Sequence, residues 1–274
     1  MSRLFEALQQ YKSELGGSAA ADQVLPDFTS DETPAGAGDL EQAEPVSVTA
    51  TPEERVVALT EPHGVGAEKL RVLGSRLRQR KRATPQLTRL LITSSIRGEG
   101  KSMVSANLAM TLAQQRQRTL LIDGDLRCPS LCDVLGTGEL PGLTEWSQQE
   151  ERPISKYLRR VGSMSLWFLP AGRPAHQPGS ILQHARTAQM VAEFGNQFEW
   201  VIIDSPPLPP FADSRLWAAM ADAVLLVVRQ SYTPKKLLQQ CLDSLEAKKL
   251  LGLILNDAET VENHYYRGYY NTRK

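Results

Sequence analysis

An α/β fold, with a mostly parallel β-sheet flanked by helices on both faces, is what this 274-residue chain predicts. One pattern carries that expectation: short continuous apolar runs alternate with stretches of helical period. A second supports it, since the acidic motifs fall where the apolar runs end. Strands buried on both faces need no polar alternation, so an apolar run followed by a helix points to parallel pairing through crossovers. Ligands in such folds bind beyond the carboxyl ends of the strands.

Residues 2–15 put Leu4, Leu8, Tyr11 and Leu15 on one stripe with Phe5 beside it, which predicts an amphipathic helix over residues 1–15. The stripe suits a partner, a lipid surface or the chain's own domain, and it lacks the basic face that lipid binding favours. Residues 16–65 are rich in Ala, Gly, Pro, Thr and acid without period, and they predict a disordered linker. A folded domain is expected over residues 66–258. Its first helix contains AEKLRVLGSRLRQRKR, where Leu70, Leu73 and Leu77 recur at helical spacing. Gly74 weakens that helix by about 1 kcal/mol relative to alanine. Strands are then predicted at Leu90–Thr93, Thr119–Ile122, Leu166–Leu169, Trp200–Ile203, Ala223–Val228 and Leu251–Leu255. Helices are predicted at Lys101–Gln115, Ile181–Phe194, Ser214–Met220 and Pro234–Lys248. Residues 259–274 are expected to form a flexible, tyrosine-rich tail.

The 31 basic and 31 acidic residues cancel overall but are segregated. Residues 1–62 carry 12 acids and 3 bases, leaving 19 acids and 28 bases for the remainder. The pattern is an acidic leading segment on a basic domain. Arg76, Arg78, Arg80, Lys81 and Arg82 concentrate positive charge on the first domain helix. No aromatic residues interleave to stack on bases, so no nucleic acid is expected. The cluster reads instead as a solvated face, or as a patch for an acidic partner or anionic headgroups. Cys128, Cys132 and Cys241 fit neither a disulfide framework nor a zinc spacing, and they read as free thiols of a reducing compartment. The longest apolar run, Ala223 to Val228, falls far short of the ~20 residues of a membrane span. With no signal peptide, the expectation is a cytoplasmic protein that reaches the inner face of a membrane only by recruitment.

In RLLITSSIRGEGKS a strand runs through a glycine-rich loop into a helix, so successive N–H groups and the helix N-terminus face one point. That arrangement cradles nucleotide phosphates and makes the fold P-loop NTPase-like. Ser95, Arg97, Gly98, Glu99, Gly100, Lys101, Ser102 and Met103 are the candidate nucleotide-binding residues. Ser95 occupies the place of the usual first glycine. Lys101 would reach between the β- and γ-phosphates, and the Ser102 hydroxyl would join Mg²⁺. TLLIDGDLR ends in Asp123 and Asp125, carboxylates that repel unless a cation neutralises them. One of them could then take a proton from an attacking hydroxyl; a capped turn is the plainer reading of that motif alone. EWVIIDSPP ends a third strand at Asp204, where such folds hold the magnesium shell. Asn256, ending the last strand, is placed either for an adenine edge or simply for a strand-to-turn junction. Tyr265, Tyr266, Tyr269 and Tyr270 crowd the tail HYYRGYYNTRK. No core pattern accounts for them, and beside a phosphate site they are candidate phosphoacceptors.

Together with LPAGRPAHQPGSIL, ADAVLLVVR and LGLILN, these motifs resemble those of the bacterial protein-tyrosine autokinases (BY-kinases) that govern capsule and exopolysaccharide synthesis. The resemblance runs from Gly66 to the C-terminus. It implies ATP and Mg²⁺ as cofactors, with Lys101, Asp123, Asp125 and Asp204 catalytic and Asp123 the base. Ser102, Asp125 and Asp204 would hold the metal, and one subunit would phosphorylate its neighbour's tail within a ring. It further implies a transmembrane activator, a polysaccharide co-polymerase whose cytoplasmic tail recruits the kinase, and a cognate tyrosine phosphatase. Three departures stand out. Arg97 replaces a proline, Cys128 replaces an arginine, and the ring-forming pattern that begins at Glu68 and Arg71 meets Gly74 at its third position.

Two further classes fit parts of the chain. An ATP-switched positioning or partition ATPase shares the fold and the acidic motifs, but it carries a second lysine where Ile96 stands and has no use for a tyrosine tail. A nucleotide-binding scaffold without kinase activity would not need an intact lysine, serine and aspartate set.

Overall fold

The computed structural model describes residues 40, 43–49 and 56–258. Eight strands form one sheet: β1 Glu44–Val46, β2 Arg89–Ser94, β3 Thr119–Asp123, β4 Arg159–Val161, β5 Leu166–Leu169, β6 Trp200–Asp204, β7 Ala223–Arg229 and β8 Leu250–Asn256. Their order is β1-β4-β5-β3-β6-β2-β7-β8, and only the β4–β5 pair is antiparallel. The helices are α1 Val57–Thr60, α2 Val65–Ala83, α3 Lys101–Gln114, α4 Leu131–Leu135, α5 Leu143–Ser147, α6 Pro178–Gln183, α7 Ala185–Gln197, α8 Ala212–Met220 and α9 Lys235–Asp243. α1, α2 and α4 pack around α3 in one layer, while α6, α7 and α8 pack together in another. Every residue of β3 and β6 is buried, as uninterrupted apolar runs in a parallel sheet require.

The six predicted strands are found to within a residue or so at each end. β1 and β4 escape prediction because each has only three residues, and EPV and RRV contain no apolar run. The predicted helix Ile181–Phe194 is two helices. His184 is extended between them (φ −70°, ψ 133°), and its ring nitrogen accepts the Arg186 N–H that opens α7. No glycine or proline marks that break. α9 ends at Asp243, and a 3₁₀ turn at Ala247–Lys249 completes the stretch predicted to reach Lys248.

The linker expectation for residues 16–65 needs correction. β1 pairs in parallel with β4, Thr49 N–H donates to Leu135 O at 3.1 Å, and Val56 is wholly buried. Few apolar residues suffice there because an existing sheet edge and the α3 layer supply the rest of the contact. The expected helix over residues 1–15, residues 16–39 of the expected linker and the tail 259–274 lie outside the described residues.

The basic helix α2 also differs from expectation at two points. Lys81 is half-buried rather than freely solvated: its Nζ donates to Glu199 O and to Thr88 Oγ1 (3.0 Å) and lies 4.7 Å from the centre of the Trp200 ring. Burial lowers its pKa from the ordinary lysine value, against the pull of Glu199. Gly74 is buried, and a methyl group there would meet the Gln115 side chain of the α3 layer at 3.4 Å.

Candidate active site

The loop between β2 and α3 owes its shape to two glycines and a carboxylate. Gly98 and Gly100 both have φ +88°, a left-handed conformation that side chains resist. A methyl group on Gly100 would also collide with the Asn256 amide. Glu99 is fully buried, and its Oε2 accepts N–H from Ser95 (2.6 Å) and Ile96 (2.7 Å). The loop thus curls around its own acid. Asn256 Nδ2 donates to Glu99 O at 2.8 Å, tying the last strand to the loop.

Lys101 opens α3, and its ammonium meets the aspartates of two strands. Nζ lies 3.2 Å from Asp125 Oδ2, 3.8 Å from Asp204 Oδ2 and 3.2 Å from Ser102 Oγ. Burial opposes the charge on Lys101, but Asp204 and Asp125 outweigh it and hold the ammonium pKa above the ordinary value. β3 and β6 are adjacent and in register, so Asp123 is the Cα partner of Asp204. Asp123 Oδ2 accepts N–H from Ser130 (3.2 Å) and Leu131 (3.0 Å), and its Oδ1 accepts from Asp125 N–H (3.2 Å). Burial, with the Asp204 charge beside it, nevertheless pushes the Asp123 carboxyl up to about 7. Asp204 is also raised by burial, against the pull of Lys101.

The intervening Gly124 is fixed from two sides. Its N–H donates to Asp204 O (2.7 Å), and its carbonyl accepts Trp217 Nε1–H (2.9 Å). A methyl group there would come within 2.7 Å of Asp204 O and 2.8 Å of the indole. The Asp123–Asp125 turn therefore lies flat on the end of β6.

The donors present fit Mg²⁺. Ser102, Asp125 and Asp204 place hard oxygen atoms of the kind Mg²⁺ takes around the Lys101 ammonium. Asp204 Oδ1 accepts from Ser105 Oγ (3.1 Å), whereas its buried Oδ2 has no hydrogen-bond partner. Ser130 Oγ donates to Ser102 Oγ at 2.8 Å. Among the described residues no group of three or more His, Cys, Asp or Glu could hold a metal unaided. Magnesium fits such a site because it usually keeps waters and phosphate oxygens among its ligands.

Lys101, Ser102, Asp123, Asp125 and Asp204 are thus brought together from three segments. Met103 lies half-buried on the first turn of α3, and Arg97 is exposed at the loop tip. Asn256 lies beside the loop, where its amide bonds the loop backbone. Tyr265, Tyr266, Tyr269 and Tyr270 lie outside the described residues. Ser105, Ser130 and Trp217 also shape the site and were not anticipated. Ser105 is one helical turn from Ser102, a spacing that could have revealed it; Trp217 gives no local signal.

Comparison with known proteins bears on the family and the fold. A family model described as ParA, NUBPL iron-transfer P-loop NTPase, matches residues 87–227. The chain is 31% identical over 188 residues to the tyrosine-protein kinase CpsD of Streptococcus agalactiae, covering 67% of this chain and 82% of that protein. It is 33% identical over 190 residues to the succinoglycan biosynthesis transport protein ExoP of Rhizobium meliloti, covering 68% of this chain but 24% of that protein. The solved kinase domain of Escherichia coli tyrosine kinase ETK superposes with a TM-score of 0.66 at 21% identity, covering 82% of this chain and 97% of that one, a likeness of fold.

Proposed function

This chain belongs to the ParA-type P-loop NTPases and, among them, to the bacterial tyrosine-protein kinases, and we propose from that premise how its site works. The protein is an ATP-dependent protein-tyrosine kinase. In our reading the loop N–H groups from Arg97 to Met103 receive the phosphates of ATP, and Lys101 moves from its aspartate partners to the β- and γ-oxygens. Ser102, Asp125 and Asp204 hold Mg²⁺, which when bound neutralises charge on the phosphates.

Asp123 takes the phenolic proton as the tyrosine oxygen attacks the γ-phosphorus, whose bond to the β–γ bridging oxygen breaks to release ADP. Free phenol has a pKa of ~10. A carboxylate at about 7 is a better acceptor for that proton than an ordinary one near ~4. The acceptors are Tyr265, Tyr266, Tyr269 and Tyr270, presented by a neighbouring copy. The observation that carries this reading is the convergence of Lys101, Asp123, Asp125 and Asp204 in one buried cluster at the ends of β3 and β6.

The kinase serves capsule or exopolysaccharide synthesis, a reading supported by the similarity to ExoP. Among the described residues no helix is long and apolar enough to cross a membrane. Recruitment by the cytoplasmic tail of a membrane-bound polysaccharide co-polymerase, with reversal by a tyrosine phosphatase, completes the proposal. A ring built through α2 has less support: Glu68 and Arg71 pair with each other at 2.6 Å, and Gly74 faces the α3 layer.

Incubation with labelled ATP, with and without the membrane partner's tail, followed by peptide mass spectrometry, tests the whole. Phosphate on the four tail tyrosines is expected, and Lys101→Met should abolish it. ATP hydrolysis without phosphotyrosine would instead favour a positioning-type ATPase.

A further inference from the structure

Besides Asn256, a second element outside its motif touches the phosphate loop: the turn from Arg229 to Thr233 between β7 and α9. Ser231 adopts φ +58°, so the chain reverses tightly and presents Tyr232 and Thr233 to the back of the loop. The Thr233 hydroxyl bonds Glu99 Oε1 and also lies 3.1 Å from Arg229 N, which donates to it. The Tyr232 hydroxyl donates to Arg97 O at 3.3 Å. The Arg229 guanidinium stacks 5.1 Å from the Tyr232 ring centre and reaches Gly98 O at 3.5 Å. Three consecutive loop residues, Arg97, Gly98 and Glu99, are therefore held from outside by one turn.

The physical need for such a hold lies in Glu99. A carboxylate inside a phosphate-binding loop would repel the ligand if it faced inward. Here it is wholly buried, without a basic side chain beside it among its hydrogen-bond partners, and Ser95 N–H, Ile96 N–H and the Thr233 hydroxyl satisfy it. The backbone N–H groups of the loop cannot turn toward phosphate and bond Glu99 at once. Fixing the carboxylate outward therefore fixes which N–H groups remain for the ligand. A loop already in that shape loses less entropy on binding.

We propose that the Arg229–Thr233 turn is an outer clamp on the phosphate loop, with Thr233 a positioning residue that sets nucleotide affinity by holding the Glu99 carboxylate away from the phosphates. The same turn reaches the segment that leads into the tail, because Arg229 pairs with Asp257 at 2.8 Å. The proposal rests on the reading that this loop holds nucleotide phosphates, and binding itself is the readout that separates the two.

The test is titration of the full chain with a fluorescent ADP analogue and Mg²⁺, alongside KM for ATP and kcat. Loss of one hydrogen bond to a charged group should make Thr233→Ala bind about five- to tenfold more weakly, with KM rising in parallel and kcat changing less than about threefold. Thr233→Ser, which restores the hydroxyl, should bind within about twofold of the parent. Tyr232→Phe, an exposed position that leaves folding intact, should weaken binding about twofold. Parent-like affinity in both Thr233→Ala and Tyr232→Phe overturns the clamp, as does a Thr233→Ser variant as weak as Thr233→Ala, which would mean lost packing. A parent chain that binds no nucleotide at all refutes the reading of the site, upstream of the clamp.

Discussion

Asp123 and Asp204 face each other across the parallel β3–β6 pair as Cα partners, and both side chains are fully buried. Two carboxylates so placed cannot both ionise cheaply, and the outcome is set by their other neighbours. Asp204 has Lys101 at 3.8 Å, whereas Asp123 relies on backbone N–H groups. The division of labour proposed above, Asp204 toward the cation and Asp123 toward the proton, follows from that difference.

Asp123→Asn keeps the side-chain volume but cannot accept a proton. Removing a general base typically costs ~10²–10⁴ in rate. We expect kcat for tail phosphorylation to fall by about that factor while ADP affinity stays within about threefold, since Lys101 and the loop are untouched. Phosphorylation at an undiminished rate would exclude Asp123 as the base.

Activity should depend on pH in the direction set by that carboxyl. A base must be ionised, and Asp123 is pushed up to about 7. Between pH 6 and 8 its ionised fraction in the free protein grows about tenfold, and kcat/KM, which reports the free protein, should grow with it. A flat kcat/KM profile over that range would show that another group limits the reaction.

The nucleotide-free protein should show the opposite slope in stability. Asp123 titrates near ~3.9 in an unfolded chain and at about 7 in the fold, so the folded state holds the proton more tightly. Its contribution is fully present below the lower value and is lost as pH rises through the higher one. The Asn variant has no such loss. Its Tm relative to the parent should therefore rise from pH 5 to pH 8, and parallel Tm curves from thermal scans would contradict the assignment.

Gly100→Ala should disable the loop without touching any charge. The residue sits at φ +88° and abuts the Asn256 amide. Left-handed strain costs about 1–2 kcal/mol for an L-residue. A further cost arises if Asn256 loses its bond to Glu99 O. Loss of measurable ADP binding by titration, with a Tm drop of only a few degrees, is the expected pair of results.

Asp222 anchors the far ends of β2 and β7. Its carboxylate accepts Thr88 N–H (3.0 Å), Arg89 N–H (2.7 Å) and the Arg89 guanidinium (2.5 Å). Burial would raise its pKa, but the Arg89 bonds outweigh that and hold the carboxyl below the ordinary aspartate range. Asp222→Ala should cost about 1.5–3 kcal/mol in denaturant unfolding, since several charge-assisted bonds lose their acceptor at once. A change within ±0.5 kcal/mol would mark the cluster as surface decoration.

The alternation of apolar runs with helical periods determined the sheet, its parallel sense and the strand ends where chemistry belongs, because strands buried on both faces leave a continuous apolar record. The loop lysine and serine and the three aspartates were legible for a related reason: the aspartates end or closely follow such a strand, and the lysine and serine open the helix after the glycine-rich loop that leaves one. Only the tertiary structure decided what depends on register between distant segments. Asp123 meets Asp204 because β6 lies between β2 and β3, an order no local pattern encodes. The linker segment around Glu44 to Val46 becomes a strand only because β4 offers it an edge. The outward hold on Glu99 by Thr233 joins residues 134 positions apart, and Trp217 reaches Gly124 across the end of the sheet. Such contacts follow from the packing of whole elements, whose geometry no short stretch of sequence contains.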